Sequence, residues 1–369
     1  MNCIRKPVYA MFALAVGFGI AAPAARAQAP SGKKASEQFK NIQVLKDIPA
    51  DQLLPTMQFF AASLGVGCDF CHVEPRDKDE KPEKATARKM LQMVMTANKE
   101  TFAGATEVTC YTCHRGSARP ISTPLVAGQE PPKPNAPRPA KLENLPSADQ
   151  LFDKYLAAIG GKAAVEKLSS FVIKGSVMND ARGQQIPMEI YEKAHSMRLA
   201  VVHAQNGDTV TTFKGNTGWT RNGTGPARDI NGAALDSARL EDLLYVIAEP
   251  KQVFGDMNVE ERPETIGDRQ AYVVTTKTQS LPRVRLYFDM DSGLLLRLTD
   301  YTETAVGRLP VQIDYEDYRD VGGLKLPYHW TISQARTRAV YLVDQFQANA
   351  PVEEAKFAKP SAAPAERRD

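Results

Sequence analysis

Cys68-Asp69-Phe70-Cys71-His72 and Cys110-Tyr111-Thr112-Cys113-His114 decide how the first third of the chain folds, because both are the pentapeptide Cys-x-x-Cys-His. Two thiols three residues apart can add to the two vinyl groups on one edge of a porphyrin, and the adjoining histidine can then bind the iron. The motifs therefore predict two covalently attached c-type haems. Their cofactor-binding residues are Cys68, Cys71, Cys110 and Cys113, with His72 and His114 as iron ligands.

Cys-x-x-Cys pairs also occur in four-cysteine zinc ribbons, in dithiol redox centres and in disulfide-linked proteins. A zinc ribbon would use all four thiolates and give His72 and His114 no task. A thioredoxin-like motif would occur once, after a strand and at the start of a helix. The chain has five histidines in 369 residues, so a histidine after both pairs favours haem.

Residues 1–27 have the pattern of a secretory signal. Arg5 and Lys6 precede a short apolar stretch, and Ala25-Arg26-Ala27 is a small-x-small cleavage site. The three basic residues of this segment account for the formal net charge of +3, so nothing in the charge indicates nucleic acid. We expect a periplasmic protein, either free or membrane-associated, since c-type haem is attached after export.

Composition divides the remaining chain. Residues 117–146 are rich in proline, which predicts an extended linker between residues 28–116, the dihaem domain, and residues 147–357, a domain of different periodicity. Residues 358–369 are small, charged and proline-containing, and we expect a disordered tail.

Two helices are predicted in the haem-binding part, over residues 55–64 and roughly 86–102, each just before a motif. Both carry methionine on an apolar face, where methionine usually fills a core. Beside haem, thioether is also a strong sixth ligand. Met57 has no competitor before the first motif, whereas Met90, Met93 and Met95 compete for the second iron, with Met95 pointing away from the apolar face.

Four phrases closely resemble the multihaem cytochrome c subunit of bacterial photosynthetic reaction centres. The resemblance covers about residues 41–120 and implies mostly α-helical helix-turn-haem units, in which a helix methionine is the sixth iron ligand. Carried over by position, it implies Met57 for the first haem and Met90 for the second. The matching phrases are Asn41–Leu45, Met57–Gly65, Ala87–Met93 and Val108–Gly116.

The chain departs from that family in three respects. It has two motifs where tetrahaem members have four, no histidine lies between His72 and His114, and the expected cleavage site offers Gln28 in place of a lipid-bearing cysteine. The expected partners are therefore periplasmic or membrane-bound redox proteins in general. A photosynthetic reaction centre is retained as a candidate partner.

After residue 147 the chain predicts an α+β domain. Ser147 and Gln150 form a capping box that starts a helix, and a second helix is expected over residues 234–247. Eleven short alternating runs predict strands joined by tight turns, which favours an antiparallel sheet. The expected strands are residues 171–177, 188–192, 197–202, 209–213, 218–221, 271–275, 283–289, 294–301, 311–318, 328–333 and 340–347.

The order of elements and the stretch Tyr318–Pro327 weakly resemble the lipoprotein-carrier (LolA/LolB-like) half-barrel superfamily. The resemblance implies a curved sheet that could hold a hydrophobic ligand, although a docking or scaffold module is the expected role. Trp219 and Trp330 are predicted to be core residues. His195, His203 and His329 lack metal-site spacing, and no catalytic arrangement is predicted.

The sequence thus predicts an electron-transfer protein rather than an enzyme: a dihaem c-type cytochrome that passes electrons between redox partners. One alternative is a dihaem peroxidase-like enzyme, which needs one iron with an open sixth position. Another is a lipid- or polymer-binding half-barrel for which the haems act as a relay.

Overall fold

The computed structural model describes residues 32–360 except 180–182, 194–196, 243–245, 247–249 and 277–282. The predicted signal (1–27), His195 and residues 361–369 of the predicted tail lie outside the described residues. The chain forms two compact units, Met1–Ala118 and Arg119–Asp369. The predicted domain boundaries at 116/117 and 146/147 stay predictions.

Four helices form the described part of the first unit: α1 (Ala35–Gln38), α2 (Leu53–Leu64), α3 (Pro82–Thr101) and α4 (Cys110–His114). Two 3₁₀ turns, Ala50–Gln52 and Cys68–Phe70, lie between them. The predicted helices at 55–64 and 86–102 are confirmed as α2 and α3. α3 begins four residues earlier than predicted because Pro82, whose φ is already helical, occupies its first turn.

The proline-rich stretch belongs to the second unit and is fastened to it at two points. The N–H of Ala127 donates to the carbonyl of Gln334 at 2.7 Å, and that of Leu142 donates to Glu261 at 2.8 Å. Val126 is buried. Two main-chain hydrogen bonds and the buried Val126 therefore attach this segment to the second unit.

Within the described residues of the second unit, four short α-helices accompany the sheet: α5 (Ala148–Ala158), α6 (Lys162–Glu166), α7 (Gly232–Leu240) and α8 (Pro250–Phe254). The predicted capping box is present at the start of α5, where Ser147 N–H donates to Gln150 Oε1 at 2.8 Å and Gln150 N–H donates to Ser147 Oγ at 3.2 Å. α7 ends before the predicted residue 247.

In the part of the chain that the structure describes, fourteen antiparallel strands make one curved sheet. All eleven predicted strands occur, and three short ones, β6, β7 and β8, were not predicted. The strands are β1 (Ser170–Asn179), β2 (Gln185–Lys193), β3 (Met197–Val202), β4 (Thr209–Lys214), β5 (Thr217–Arg221), β6 (Arg228–Ile230), β7 (Met257–Val259), β8 (Glu264–Ile266), β9 (Arg269–Thr276), β10 (Val284–Asp289), β11 (Leu295–Thr304), β12 (Gly307–Val321), β13 (Leu324–Ser333) and β14 (Arg338–Ala348).

The sheet runs β6-β5-β4-β3-β2-β1-β14-β13-β12-β11-β10-β9-β7, with β8 also paired to β9. β1 and β14, the first and last strands in chain order, are therefore neighbours near the middle of the sheet. Their register shifts between Lys174 and Gly175. A Cβ at position 175 would lie 2.0 Å from the Leu342 carbonyl oxygen, so this bulge requires glycine.

The core of the second unit lies between the sheet and α5. Phe152 and Phe288 meet edge to face at a centroid distance of 5.1 Å, and Tyr155 lies 5.8 Å from the same Phe288 ring. Trp219 and Trp330 are both buried, which confirms the prediction that they are core residues. Trp330 stacks on Tyr341.

No helix within the described ranges is both long and apolar enough to cross a membrane. Across the same part of the chain, no three His, Cys, Asp or Glu side chains are grouped as a bare metal ion would require.

Candidate functional site

The first motif follows directly from the end of α2. Gly65 adopts the left-handed conformation (φ 63°), and its N–H donates to the Ala61 carbonyl and so closes the helix. After two residues the chain enters a 3₁₀ turn in which the N–H groups of Cys71 and His72 both donate to the Cys68 carbonyl, at 3.3 and 3.0 Å. One tight turn therefore presents both thiols and the imidazole.

The His72 ring is oriented by the loop behind it. Its Nδ1 lies 3.1 Å from the Arg76 carbonyl oxygen. Since a carbonyl oxygen can only accept, Nδ1 carries the proton and Nε2 keeps its lone pair. This is the arrangement by which a protein fixes the tautomer of a metal-binding histidine.

The second motif forms the short helix α4, which begins with a capping box. Thr109 N–H donates to Thr112 Oγ1 at 3.0 Å, and Thr112 N–H donates to Thr109 Oγ1 at 3.3 Å. His114 Nδ1 lies 2.9 Å from the Ser117 carbonyl oxygen. The second histidine therefore has the same tautomer as the first, with Nε2 available to a metal.

The four motif thiols are free, with Cys68 and Cys113 exposed and Cys71 and Cys110 partly buried. Burial raises the pKa of both partly buried thiols. A dithiol redox centre needs the opposite, a thiol whose pKa is lowered so that it is a thiolate at neutral pH. The surroundings of Cys71 and Cys110 therefore do not activate these two thiols as thiolates.

Two contacts hold the second motif in place. Gly116 N–H donates to the carbonyl of Ser63 at 2.8 Å, which joins the end of α4 to the last turn of α2. The side-chain amide of Asn98 in α3 makes a reciprocal pair with Val108: its Nδ2 donates to the Val108 carbonyl at 2.8 Å, and its Oδ1 accepts from the Val108 N–H at 2.9 Å. Both motifs are thus close in space to the end of α2.

The methionines do not fill a protein core. Met57 lies in α2 and is partly exposed. α3 has no buried residue, and its Met90 and Met93 side chains are 42% and 52% exposed. The ordinary role of methionine as core filler does not apply to those two. The choice of Met90 over Met93, like the assignment of Met57, stays a prediction.

The surface around the motifs is open and carries exposed apolar side chains. Over residues 32–118 the buried apolar side chains are Ala35 and Ala50, whereas large apolar groups of α2, α3 and the motifs are exposed. An open groove of about 620 Å³ lies beside the first motif. Its lining is mixed, with the apolar Val66, Phe70 and Pro82 beside Gly67 and the charged Asp69, Glu80, Lys81 and Glu83. Paired thiols, imidazoles with free Nε2 and uncovered apolar surface together fit covalently attached haem.

The second unit contains an unusual buried charge cluster. Arg198 Nε lies 3.1 Å from Glu192 Oε1 and its Nη1 lies 3.2 Å from Glu241 Oε2. Burial and the neighbouring Asp242 carboxylate raise the pKa of Glu192 well above its usual range. The adjoining cavity, lined by Tyr315 and Trp330 among others, holds about 50 Å³, far below the ~300–1,000 Å³ of ligand pockets. The predicted hydrophobic ligand stays a prediction.

The first unit is similar in sequence to cytochromes of photosynthetic bacteria. The family model of the photosynthetic reaction centre cytochrome C subunit matches residues 16–153. The photosynthetic reaction center cytochrome c subunits of Thermochromatium tepidum and Rubrivivax gelatinosus are 40% and 38% identical over 95 and 96 residues, each match covering 24% of this chain. Cytochrome c-554 of Chloroflexus aurantiacus is 36% identical over 84 residues, 21% of this chain. The matches cover 24%, 26% and 20% of these relatives' own lengths.

The second unit is similar to solved structures of other proteins. A LolA superfamily protein from Nitrosomonas europaea covers 58% of this chain and 99% of its own, at 14% identity and a TM-score of 0.39. A DUF1329 family protein from Desulfovibrio piger covers 57% of this chain and 96% of its own, at 11% identity and a TM-score of 0.40. Likeness at these scores carries no argument about function.

Proposed function

We propose that the chain is a periplasmic dihaem c-type cytochrome that carries electrons between redox partners and performs no bond chemistry on a substrate. The observation that carries this proposal is the repeated geometry of the two motifs, in which each histidine donates from Nδ1 to a main-chain carbonyl and keeps Nε2 free. The similarity of the first unit to reaction-centre cytochrome subunits supports it.

Each motif has a defined task in this proposal. A bound c-type haem supplies a one-electron iron centre whose potential depends on its axial ligands and burial. Cys68 and Cys71 hold one such group and Cys110 and Cys113 the other, while His72 and His114 bind the irons. Met57 and Met90 are the proposed sixth ligands, which complete helix-turn-haem units and exclude substrate from the irons.

The two sites are proposed to exchange electrons. The hydrogen bond from Gly116 to Ser63 places the second motif beside the turn that leads into the first. The partners are periplasmic or membrane-bound redox proteins, and a photosynthetic reaction centre is among the candidates. The predicted signal at residues 1–27 motivates the periplasmic location, which fractionation of the expressing cells would test.

The haem count and the spin state test the proposal directly. The full chain is expressed in a host that attaches c-type haem, its mass gives haems per chain, and its oxidised form is measured by absorption and electron-spin resonance. Two low-spin haems with histidine and methionine ligands are expected. One high-spin iron would replace the electron-carrier proposal with the peroxidase-like one, and no covalent haem would reject both.

Methionine variants test the sixth ligands. Met57→Ala is expected to leave the first haem attached while opening its iron to carbon monoxide, since Met57 is the only methionine between Gln28 and that motif. Met90→Ala is expected to do the same at the second haem. Met93→Ala and Met95→Ala, on the same helix, are the matched controls. Carbon monoxide binding in Met93→Ala but not in Met90→Ala would transfer the assignment to Met93.

A further inference from the structure

The Arg76 carbonyl oxygen accepts two hydrogen bonds, and only one of them comes from the proposed iron ligand. His72 Nδ1 donates at 3.1 Å, and the ammonium of Lys84 donates to the same oxygen at 2.9 Å. Both lone pairs of the carbonyl are thereby used. The Lys84 side chain is 11% exposed, so its charge lies mostly away from water.

A carboxylate holds this ammonium in position. Asp79 Oδ1 lies 3.0 Å from Lys84 Nζ, and its Oδ2 lies 2.9 Å from Arg88 Nη1. Asn41 Nδ2 donates to Asp79 Oδ1 at 2.9 Å. Hydrogen bonds from Arg88 and Lys84 hold the pKa of Asp79 well below its usual range, so the carboxylate stays charged. Lys84, Arg88 and Asp79 together leave one net positive charge behind His72.

Two physical effects of Lys84 have the same sign. An ammonium that donates to a carbonyl withdraws electron density from it, which weakens the bond that the oxygen accepts from Nδ1–H and makes the imidazole a poorer electron donor. A nearby positive charge also disfavours the more positive, oxidised state of a metal centre. Both effects favour reduction.

We infer that Lys84 is a positioning residue for His72 and raises the reduction potential of the first haem through their shared Arg76 carbonyl. This inference rests on the proposed function. The redox step it concerns transfers one electron from a redox partner, which is oxidised, to Fe(III), which becomes Fe(II). No proton leaves His72 or Lys84 and no protein bond breaks.

The test is a potentiometric titration of the full, haem-loaded chain, in which two one-electron waves are resolved. Lys84→Met is expected to lower the reduction equilibrium constant of one haem by about tenfold, which is about 59 mV for one electron. Lys89→Met is the matched control, because it removes the same charge from the same helix at an exposed position. It is expected to move neither wave by more than about twofold.

The Asp79→Asn variant distinguishes an effect of charge on the first haem from a loosening of the loop behind His72. It removes a negative charge and keeps Lys84, so the same wave is expected to move in the opposite direction, by about threefold. Loosening of the loop would move both variants in one direction. Asp79→Asn also keeps the inference testable where Lys84→Met fails to fold.

Two results would overturn the inference: equal shifts in Lys84→Met and Lys89→Met, or Lys84→Met and Asp79→Asn shifts of the same sign. Failure of the proposed function is seen separately, because the wild-type chain would then lack two covalent low-spin haems before any variant is made.

Discussion

The two units of the chain differ in how much of their apolar surface is buried. In the second unit, Phe288 and Tyr155 are almost wholly enclosed by the sheet and α5. In residues 32–118, by contrast, side chains as large as Phe59, Met90 and Tyr111 are exposed. The difference indicates that the second unit is stabilised by its own packing, whereas the first leaves apolar surface uncovered that the proposed haems would cover.

Removing the cysteines that are proposed to attach the haems should have the largest effect on stability. That effect should be confined to the first unit. With Cys68, Cys71, Cys110 and Cys113 all changed to Ala, we expect the opening free energy of α2 and α3 to fall to about 0–1 kcal/mol, since little apolar surface would hold them. Amide hydrogen exchange followed by mass spectrometry measures this. The sheet strands should keep wild-type protection and serve as the internal control. Unchanged protection of α3 would show that the first unit folds by itself.

Two phenylalanines provide the next test. Phe288→Ala should cost about 3–5 kcal/mol of unfolding free energy, because it empties a packed core. Phe59→Ala, at a side chain of the first unit that is 45% exposed, should change the unfolding free energy of that unit, followed by amide hydrogen exchange of α2, by less than about 0.5 kcal/mol. The fluorescence of Trp219 and Trp330, the two tryptophans of the chain, follows urea unfolding of the second unit. Equal losses in the two variants would remove the contrast between the units.

A smaller loss of stability is expected when the hydrogen bonds between Asn98 and Val108 in the first unit are removed. Asn98→Ala removes both bonds to Val108 and leaves that partly buried backbone without partners, which costs about 1–3 kcal/mol. Unfolding of the haem-loaded chain, followed by haem absorption, reports the loss. Gln92→Ala, an exposed position on the same helix, should leave the midpoint unchanged. A midpoint shift of similar size in both variants would mean that α3 itself is weakened.

The last prediction depends on pH. The pKa of Glu192 is raised in the folded state, so above an unfolded-state pKa of ~4.5 the folded chain holds a proton that the unfolded chain has lost. Stability therefore declines as pH rises from there to the folded pKa. Glu192→Gln removes this dependence. The free energy of unfolding of this variant should therefore rise relative to that of the wild type by about 1.4 kcal/mol per pH unit across that window.

Urea unfolding of both proteins at a series of pH values measures the difference. Glu189→Gln on the same strand is the control of opposite sign, because its hydrogen bond from Tyr191 lowers the pKa of Glu189. Glu189→Gln should lose stability relative to wild type as pH rises toward ~4.5 and show no further change above it. A constant difference between wild type and Glu192→Gln would contradict the assignment of a proton to Glu192.

The sequence predicted what depends on local pattern. Alternation located eleven strands, and the apolar stripe located α2 and α3, because periodicity is a property of neighbouring residues. The strands β6, β7 and β8 are three residues each, too short to show alternation. The pairing of β1 with β14 could not be predicted either, since no turn connects them.

The same division applies to the candidate site. The spacing of cysteine and histidine predicted both candidate sites, since covalent attachment of haem requires these residues within one stretch of five. The second donor to the Arg76 carbonyl was missed, because Lys84 is one of many lysines and its role appears only when α3 brings it to the loop behind His72. Asn98 was missed for the same reason, as its partner Val108 is ten residues away.

The pairing of β1 with β14 has a consequence for how the sheet assembles. Strands β1 to β6 and β9 to β13 can each form a meander from hairpins, because each strand pairs with its predecessor. The two meanders become one sheet only when Arg338–Ala348 pairs with both. A shortened chain that lacks this segment would present two further open strand edges, at β1 and β13, which are sites of aggregation, and the last strand covers both at once.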